Sequence, residues 1–154
     1  MIDLGEINLF RANLKRINLK KTNLTETNLE EADLNWAILT GANLMGTKLE
    51  KANLKGANLQ GANLEGANLR KANLHGANLD GANLEEAIFE EANLKGALNL
   101  SIDQLSKVRT LYNTKLDEEF LIQLKEEFPF LFKSLEQQFL EYQHNLLGAI
   151  SNNL

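Results

Sequence analysis

Leu recurs at every fifth position from Leu4 to Leu84, and the register continues through Phe89 and Leu94 to make nineteen five-residue units. Two residues earlier stands a small or β-branched side chain: Ala in thirteen units, Thr in three (Thr22, Thr27, Thr47) and Ile in three (Ile2, Ile7, Ile17). The residue between is Asn or Asp in sixteen of the nineteen, and Ile38, Lys48 and Ile88 are the exceptions. On a straight α-helix each step of five turns about 140°, so the Leu side chains would spread around the whole circumference. On a straight strand an odd step places alternate Leu on opposite faces. All of them point inward only if the chain turns once per unit. The Ala-Asn-Leu segment is then a short strand with Ala and Leu inside and Asn outside, and the remaining two residues form a corner. Eight of the ten Gly occupy the second corner position, where backbone freedom is useful.

The corner residues also count the sides of the coil. From residue 41 they read Gly, Gly, Lys, Gly; Gly, Gly, Lys, Gly; Gly, Glu, Glu, Gly. The pattern recurs at twenty residues, and a fifteen-residue offset sets Lys against Gly. Lys55, His75 and Lys95 align at the same twenty-residue spacing. Four units per coil turn nineteen units into 4.75 coils, a column about 23 Å tall at the usual strand spacing. The expected fold is an all-β solenoid with a helical tail. The composition follows from this geometry: 31 Leu and 15 Ala fill the shaft, and 20 Asn mostly line it and can form hydrogen-bonded ladders between coils.

The run from Gly56 to Leu69, with its repeated Gly-Ala-Asn-Leu, resembles the pentapeptide-repeat proteins, and the resemblance extends over residues 2–97. It implies a right-handed, four-sided parallel β-helix. The units divide the chain into a repeat domain, 1–97, and a C-terminal segment, 98–154.

The register breaks at Leu98-Asn99-Leu100, and seven of the ten aromatic residues lie beyond it. Ser101-Ile102-Asp103-Gln104 is a capping box, and Leu105, Val108, Leu111 and Tyr112 follow at helical spacing. Asp117, followed by Glu118 and Glu119, opens a second helix that ends before Pro129. A third carries Phe132, Leu135, Phe139, Tyr142 and Leu146, spaced 3, 4, 3, 4. The tail is expected to lie over the last coil as a cap of α-helices, as solenoids require at their ends. The heptad-like stripe also fits docking on a second chain, so the chain is expected as a monomer or weak homodimer. Part of the tail resembles the C-terminal caps of cyanobacterial pentapeptide-repeat proteins. At the opposite end, Ile2, Ile7 and Ile17 either seal the first coil or form an end-to-end contact.

Enzyme chemistry finds no foothold. The chain has no Cys. His75 and His144 have no companion in a catalytic or metal-ligand pattern. Glu85, Glu86, Glu90 and Glu91 cluster on adjacent corners of a convex wall, which has no cleft to desolvate them. No cofactor and no metal are expected. No apolar run is long enough to span a membrane as a helix, and the first residues lack the pattern of a signal peptide, so a cytoplasmic location is expected.

Binding is the better prospect, because outward residues that break the repeat encode whatever is specific to one solenoid. Trp36 and Ile38 are the most conspicuous breaks. At twenty residues per coil Trp36 lies between Arg16 and Gly56, with room to lie flat and a cation–π partner in Arg16. Met45 and Phe10 are further exposed apolar breaks. The expected function is a protein–protein interaction scaffold whose partner is another protein, with no nucleic acid or membrane involved. The alternative is a DNA mimic of the kind that binds DNA gyrase. Residues 1–97 carry eleven Lys and Arg against thirteen Asp and Glu, a net charge of −2, too balanced for such a mimic.

Overall fold

The computed structural model describes residues 2–151, with side chains through Leu146. Met1 and residues 152–154, the outer limits of the two expected domains, lie outside the described residues. From Asp3 onward each central residue forms a parallel bridge with the residue twenty positions later, Asp3 with Asn23 through Asn78 with Leu98. The coil therefore has twenty residues and four walls. Wall A runs through Asp3, Asn23, Asn43, Asn63 and Asn83, and wall B through Asn8, Asn28, Lys48, Asn68 and Ile88. Wall C runs through Asn13, Asp33, Asn53, Asn73 and Asn93, and wall D through Asn18, Ile38, Asn58, Asn78 and Leu98.

Each rung is held by the same backbone bonds. The N–H of Leu24 donates to the Asn43 carbonyl at 2.7 Å, and the N–H of Asn43 donates back to the Thr22 carbonyl at 3.0 Å. At the corners the N–H of the Ala-column residue donates to the preceding Leu carbonyl, closing a β-turn whose third residue has positive φ. All nineteen corners adopt this conformation, with φ between 54° and 66°. Only eight of them carry Gly.

The central Asn or Asp accounts for nine of the eleven side chains tolerated there; Lys51 and Glu91 follow Lys48 and Ile88 instead. In all sixteen units with Asn or Asp at that position, its carboxamide or carboxylate oxygen accepts the backbone N–H two residues on. This Asx turn pins the entry to every such corner. The inter-coil ladder expected of Asn is present in places, for example Asn83 Nδ2 to Asn63 Oδ1 at 3.0 Å, but the turn bond is the constant one.

Inside, every repeat Leu from Leu24 to Leu84 is at most 2% exposed, with Phe89 fully buried among them. The Thr of the Ala column are buried too, and two of them reach a carbonyl. Thr27 Oγ1 donates to the Leu4 carbonyl at 2.7 Å, and Thr47 Oγ1 to the Leu24 carbonyl at 2.8 Å.

Beyond residue 98 the helical reading is corrected. The capping box forms with both arms, Ser101 Oγ accepting the Gln104 N–H and Gln104 Oε1 accepting the Ser101 N–H. Helix α1, however, is only Ile102–Ser106. Val108, Leu111 and Tyr112 are not helical: Thr110 bridges Ile88 on wall B, and Lys115 bridges Asn93 on wall C. The offset there is 22 residues, because α1 replaces a wall A strand and adds two residues to the coil. Leu111 and Leu116, five apart, fill the Leu positions, and Thr114 Oγ1 donates to the Phe89 carbonyl. Helix α2 (Glu118–Glu127) starts where wall D would resume. Asp117 stands at its N-cap, but its carboxylate accepts the Gly96 N–H instead of capping the helix. A 3-10 turn (Pro129–Phe132) and helix α3 (Leu135–Ser151) complete the chain. Leu105, Leu124 and Leu131 join the core of the solenoid.

Candidate interaction surfaces

The corner between walls C and D is where the repeat rule fails most visibly. Trp36 occupies a positive-φ position (58°), where all eighteen other corners carry a charged residue or Gly, and is 56% exposed. Its ring lies against Gly56 one coil further on: a Cβ there would come within 2.5 to 2.8 Å of three ring carbons. Gly56 is thus the floor that lets Trp36 lie flat. Two residues later Ile38 replaces the Asn of wall D and is 40% exposed. With Ile38 the Asx bond is missing, and an exposed apolar residue follows Trp36 by two positions. Asn35, which precedes Trp36, has a buried Oδ1 without a hydrogen-bond partner.

Two other members of this expected site are placed elsewhere. Arg16 sits one rung above Trp36 on the same corner, yet it makes no cation–π contact with the indole among the described residues; at this end that contact is Arg11 over Phe10, 4.8 Å from the ring centre. Met45 is exposed at the corner between walls A and B, half a coil from Trp36 and diagonally opposite. Charge near the expected patch is held in vertical pairs between coils, such as Arg11 to Glu31 at 2.6 Å and Lys15 to Asp33 at 3.1 Å.

The tail stripe is split. Phe132 belongs to the 3-10 turn and not to α3; it is half-buried beneath Lys125, whose Nζ lies 5.7 Å from its ring centre. Leu135 opens α3, and its N–H donates to Glu90 Oε1 at 2.9 Å. Phe139, Tyr142 and Leu146 are at least half exposed. With Arg109, Phe130 and Gln138, Phe139 and Tyr142 line a groove of about 260 Å³.

The acidic cluster is dispersed by pairing. Glu90 binds Arg70 at 2.6 Å, Glu91 faces Lys71 at 3.7 Å, and Glu86 faces Arg109 at 3.7 Å. Among the described residues no three His, Asp or Glu side chains converge as a metal site, and no helix is long and apolar enough to cross a membrane.

One polar group escaped the sequence reading. Thr22 Oγ1 is buried and has no hydrogen-bond partner among the described residues, although Thr27 and Thr47 occupy the same column and are satisfied.

The model of pentapeptide repeats, in eight copies, matches residues 7–46, 37–76, 47–85 and 67–98. The chain belongs to the pentapeptide-repeat family. A solved pentapeptide repeat protein from the cyanobacterium Cyanothece is 35% identical, covering 75% of this chain and 85% of its own, with a TM-score of 0.55. Another, from the Arabidopsis thaliana thylakoid lumen, is 32% identical over 60% of this chain and 68% of its own, with a TM-score of 0.50. A comparison with curated proteins finds no match. With these relatives the four walls are those of a right-handed quadrilateral β-helix.

Proposed function

We propose that this pentapeptide-repeat protein is a non-enzymatic, cytoplasmic scaffold that binds a protein partner through the corner between walls C and D. The observation that carries this is the exposed pair Trp36 and Ile38, two residues apart, where this corner otherwise holds Arg16 or Gly and wall D mostly Asn. An aromatic side chain held flat on Gly56 loses little conformational freedom on binding, which suits an interface anchor. In the same reading the segment after residue 98 acts as the cap, since its Leu105, Leu124 and Leu131 complete the core at that end. The exposed Phe139, Tyr142 and Leu146 of α3 offer a secondary contact for a weak homodimer.

The test is a comparative pull-down with wild type and a Trp36→Ala/Ile38→Asn double variant, after circular dichroism shows equal folding. Loss of a reproducible set of proteins with the variant supports the reading. Identical sets from the two baits refute it.

A further inference from the structure

The corners of the column differ in charge. Between walls B and C acids and bases mix and pair with each other, as Arg11 does with Glu31, Arg70 with Glu90 and Lys71 with Glu91. The corner between walls A and B, the A/B corner, carries Glu6, Glu26, Glu65, Glu85 and Glu86 and no basic residue through residue 86. The C/D corner, diagonally opposite, carries Lys15, Arg16, Lys55, His75 and Lys95 and no acidic residue through residue 96. All of these side chains are exposed. Lys15 reaches Asp33 of wall C, and Glu86 faces Arg109. Glu26, Glu65 and Glu85 on one corner, and Lys55, His75 and Lys95 on the other, form no ion pair among the described residues. An edge of one sign is best matched by an edge of the other sign, and this chain carries both.

At the level of the cap the signs exchange on both corners. Lys107 lies over Glu86, whose N–H donates to the Lys107 carbonyl at 2.9 Å. Asp117 lies over Gly96, whose N–H donates to its carboxylate at 2.9 Å. The exchange selects an orientation for a second copy standing alongside. With parallel axes, each residue of the C/D corner meets the residue ten earlier on the A/B corner of its neighbour. Arg16 then faces Glu6, His75 faces Glu65, Lys95 faces Glu85, and Asp117 faces Lys107. The two rungs between set Trp36 against Glu26 and Lys55 against Met45, so the exposed Trp36 and Met45 stand on neighbouring rungs. Ten residues are half a coil, an axial offset of about 2.4 Å, so the two columns stand nearly level. In an inverted copy Asp117 would instead meet Glu6.

We propose that the chain associates with itself side by side, the acidic A/B corner of one copy against the basic C/D corner of the next, with the columns parallel. A second copy is thus the partner of the corner given a binding role above, and to that extent the proposal rests on that reading. Because the two corners are diagonally opposite, the contact is head-to-tail. Each added copy leaves one corner free, and rows form instead of closed dimers. The contact is a strip along one edge, far smaller than the roughly 800 Å² per partner of a standard complex, so its dissociation constant is on the order of 0.1 mM.

Sedimentation equilibrium of the purified full chain, from about 10 μM to 1 mM, tests this. At low salt the weight-average mass is expected to climb past that of a dimer, and at about 0.5 M salt to stay at that of a monomer. His75→Glu/Lys95→Glu makes both corners acidic, and Glu65→Lys/Glu85→Lys makes both basic. Each variant alone is expected to associate about tenfold more weakly than wild type. The second does so although it moves the net charge of −5 toward zero, so greater overall repulsion is not the cause. Mixed in equal amounts the two variants are expected to associate as wild type does, and the chain with all four substitutions is expected to recover, which a misfolded variant would not do. The chain has no Cys, so engineered thiols read the register: under mild oxidation His75→Cys and Glu65→Cys chains are expected to cross-link, and His75→Cys and Glu26→Cys chains are not. A monomer at 1 mM in low salt overturns the proposal, as does a plateau at the dimer or wild-type association of either charge variant alone. Equal cross-linking of the two thiol mixtures overturns the parallel register. Only the purified chain is present in these measurements, so their failure is read separately from that of the Trp36 and Ile38 pull-down.

Discussion

The uniform corner conformation makes a quantitative prediction about the backbone cost of a side chain at the corner. Gly61 has φ +61°, and a Cβ added there meets no heavy atom within 4 Å. Gly61→Ala therefore isolates the backbone term. The left-handed conformation costs an L-residue about 1–2 kcal/mol, and replacing Gly recovers about 0.4–1 kcal/mol by restricting the unfolded chain. The net is a loss of roughly 0.5–1 kcal/mol. The converse change is available at Glu26, which has φ 55° and forms no side-chain ion pair or hydrogen bond among the described residues, although its carboxylate lies over Gly46. Glu26→Gly should gain roughly the same 0.5–1 kcal/mol. The two positions are 35 residues apart and on different corners, so the double variant should return close to wild type. Guanidinium chloride unfolding reads this as opposite shifts in midpoint at constant slope, and thermal melts as opposite shifts of about 1–4 °C. Gly61→Asn should cost less than Gly61→Ala, because Asn tolerates this conformation. A neutral Gly61→Ala together with a destabilising Glu26→Gly would refute the reasoning, since the corners would then not be held at positive φ.

Two shorter predictions concern the walls. Gly56→Ala should displace the Trp36 ring, because its Cβ would overlap the indole carbons; a shift in tryptophan emission, absent from Gly61→Ala, checks this. The Arg11 guanidinium, hydrogen-bonded to Glu31, holds that carboxyl below its ordinary value of 4.5, with Lys51 adding to the effect. A lowered pKa in the folded state stabilises above the unfolded value, and the contribution disappears as pH falls through the folded value. The melting temperature of wild type relative to Glu31→Gln should therefore fall as the pH drops below 4.5.

Much of this molecule is legible without coordinates. The Leu and Ala columns and the twenty-residue recurrence of Lys51 and Lys71 already specify inward faces, corners and four sides, and the bridges from Asp3 to Leu98 follow that register. The capping box at Ser101 was readable because both partners lie within four residues. The reading failed where spacing was ambiguous. Leu105, Val108 and Leu111 fit a helix by period, but Leu111 and Leu116 also keep the five-residue step, and backbone pairing with Ile88 and Asn93 decides for the coil. The expected patch was likewise only partly assembled. Arg16, Trp36 and Ile38 share one corner region, whereas Met45 lies across the column, because half a coil separates it from Trp36.

The sequence by itself determines the period, and the period determines a solenoid, since no straight element can bury a Leu at every fifth position. It also identifies the residues that depart from the rule. Tertiary structure alone decides what those departures meet one coil away. It lays Trp36 on Gly56. It restarts the rungs after α1 and bonds the buried Thr27 and Thr47 hydroxyls to Leu carbonyls of the coil before. The physical reason is range. Periodic burial is written into every five residues, but each hydrogen bond and contact between coils joins residues about twenty apart, and whether the partner is present depends on the whole stack.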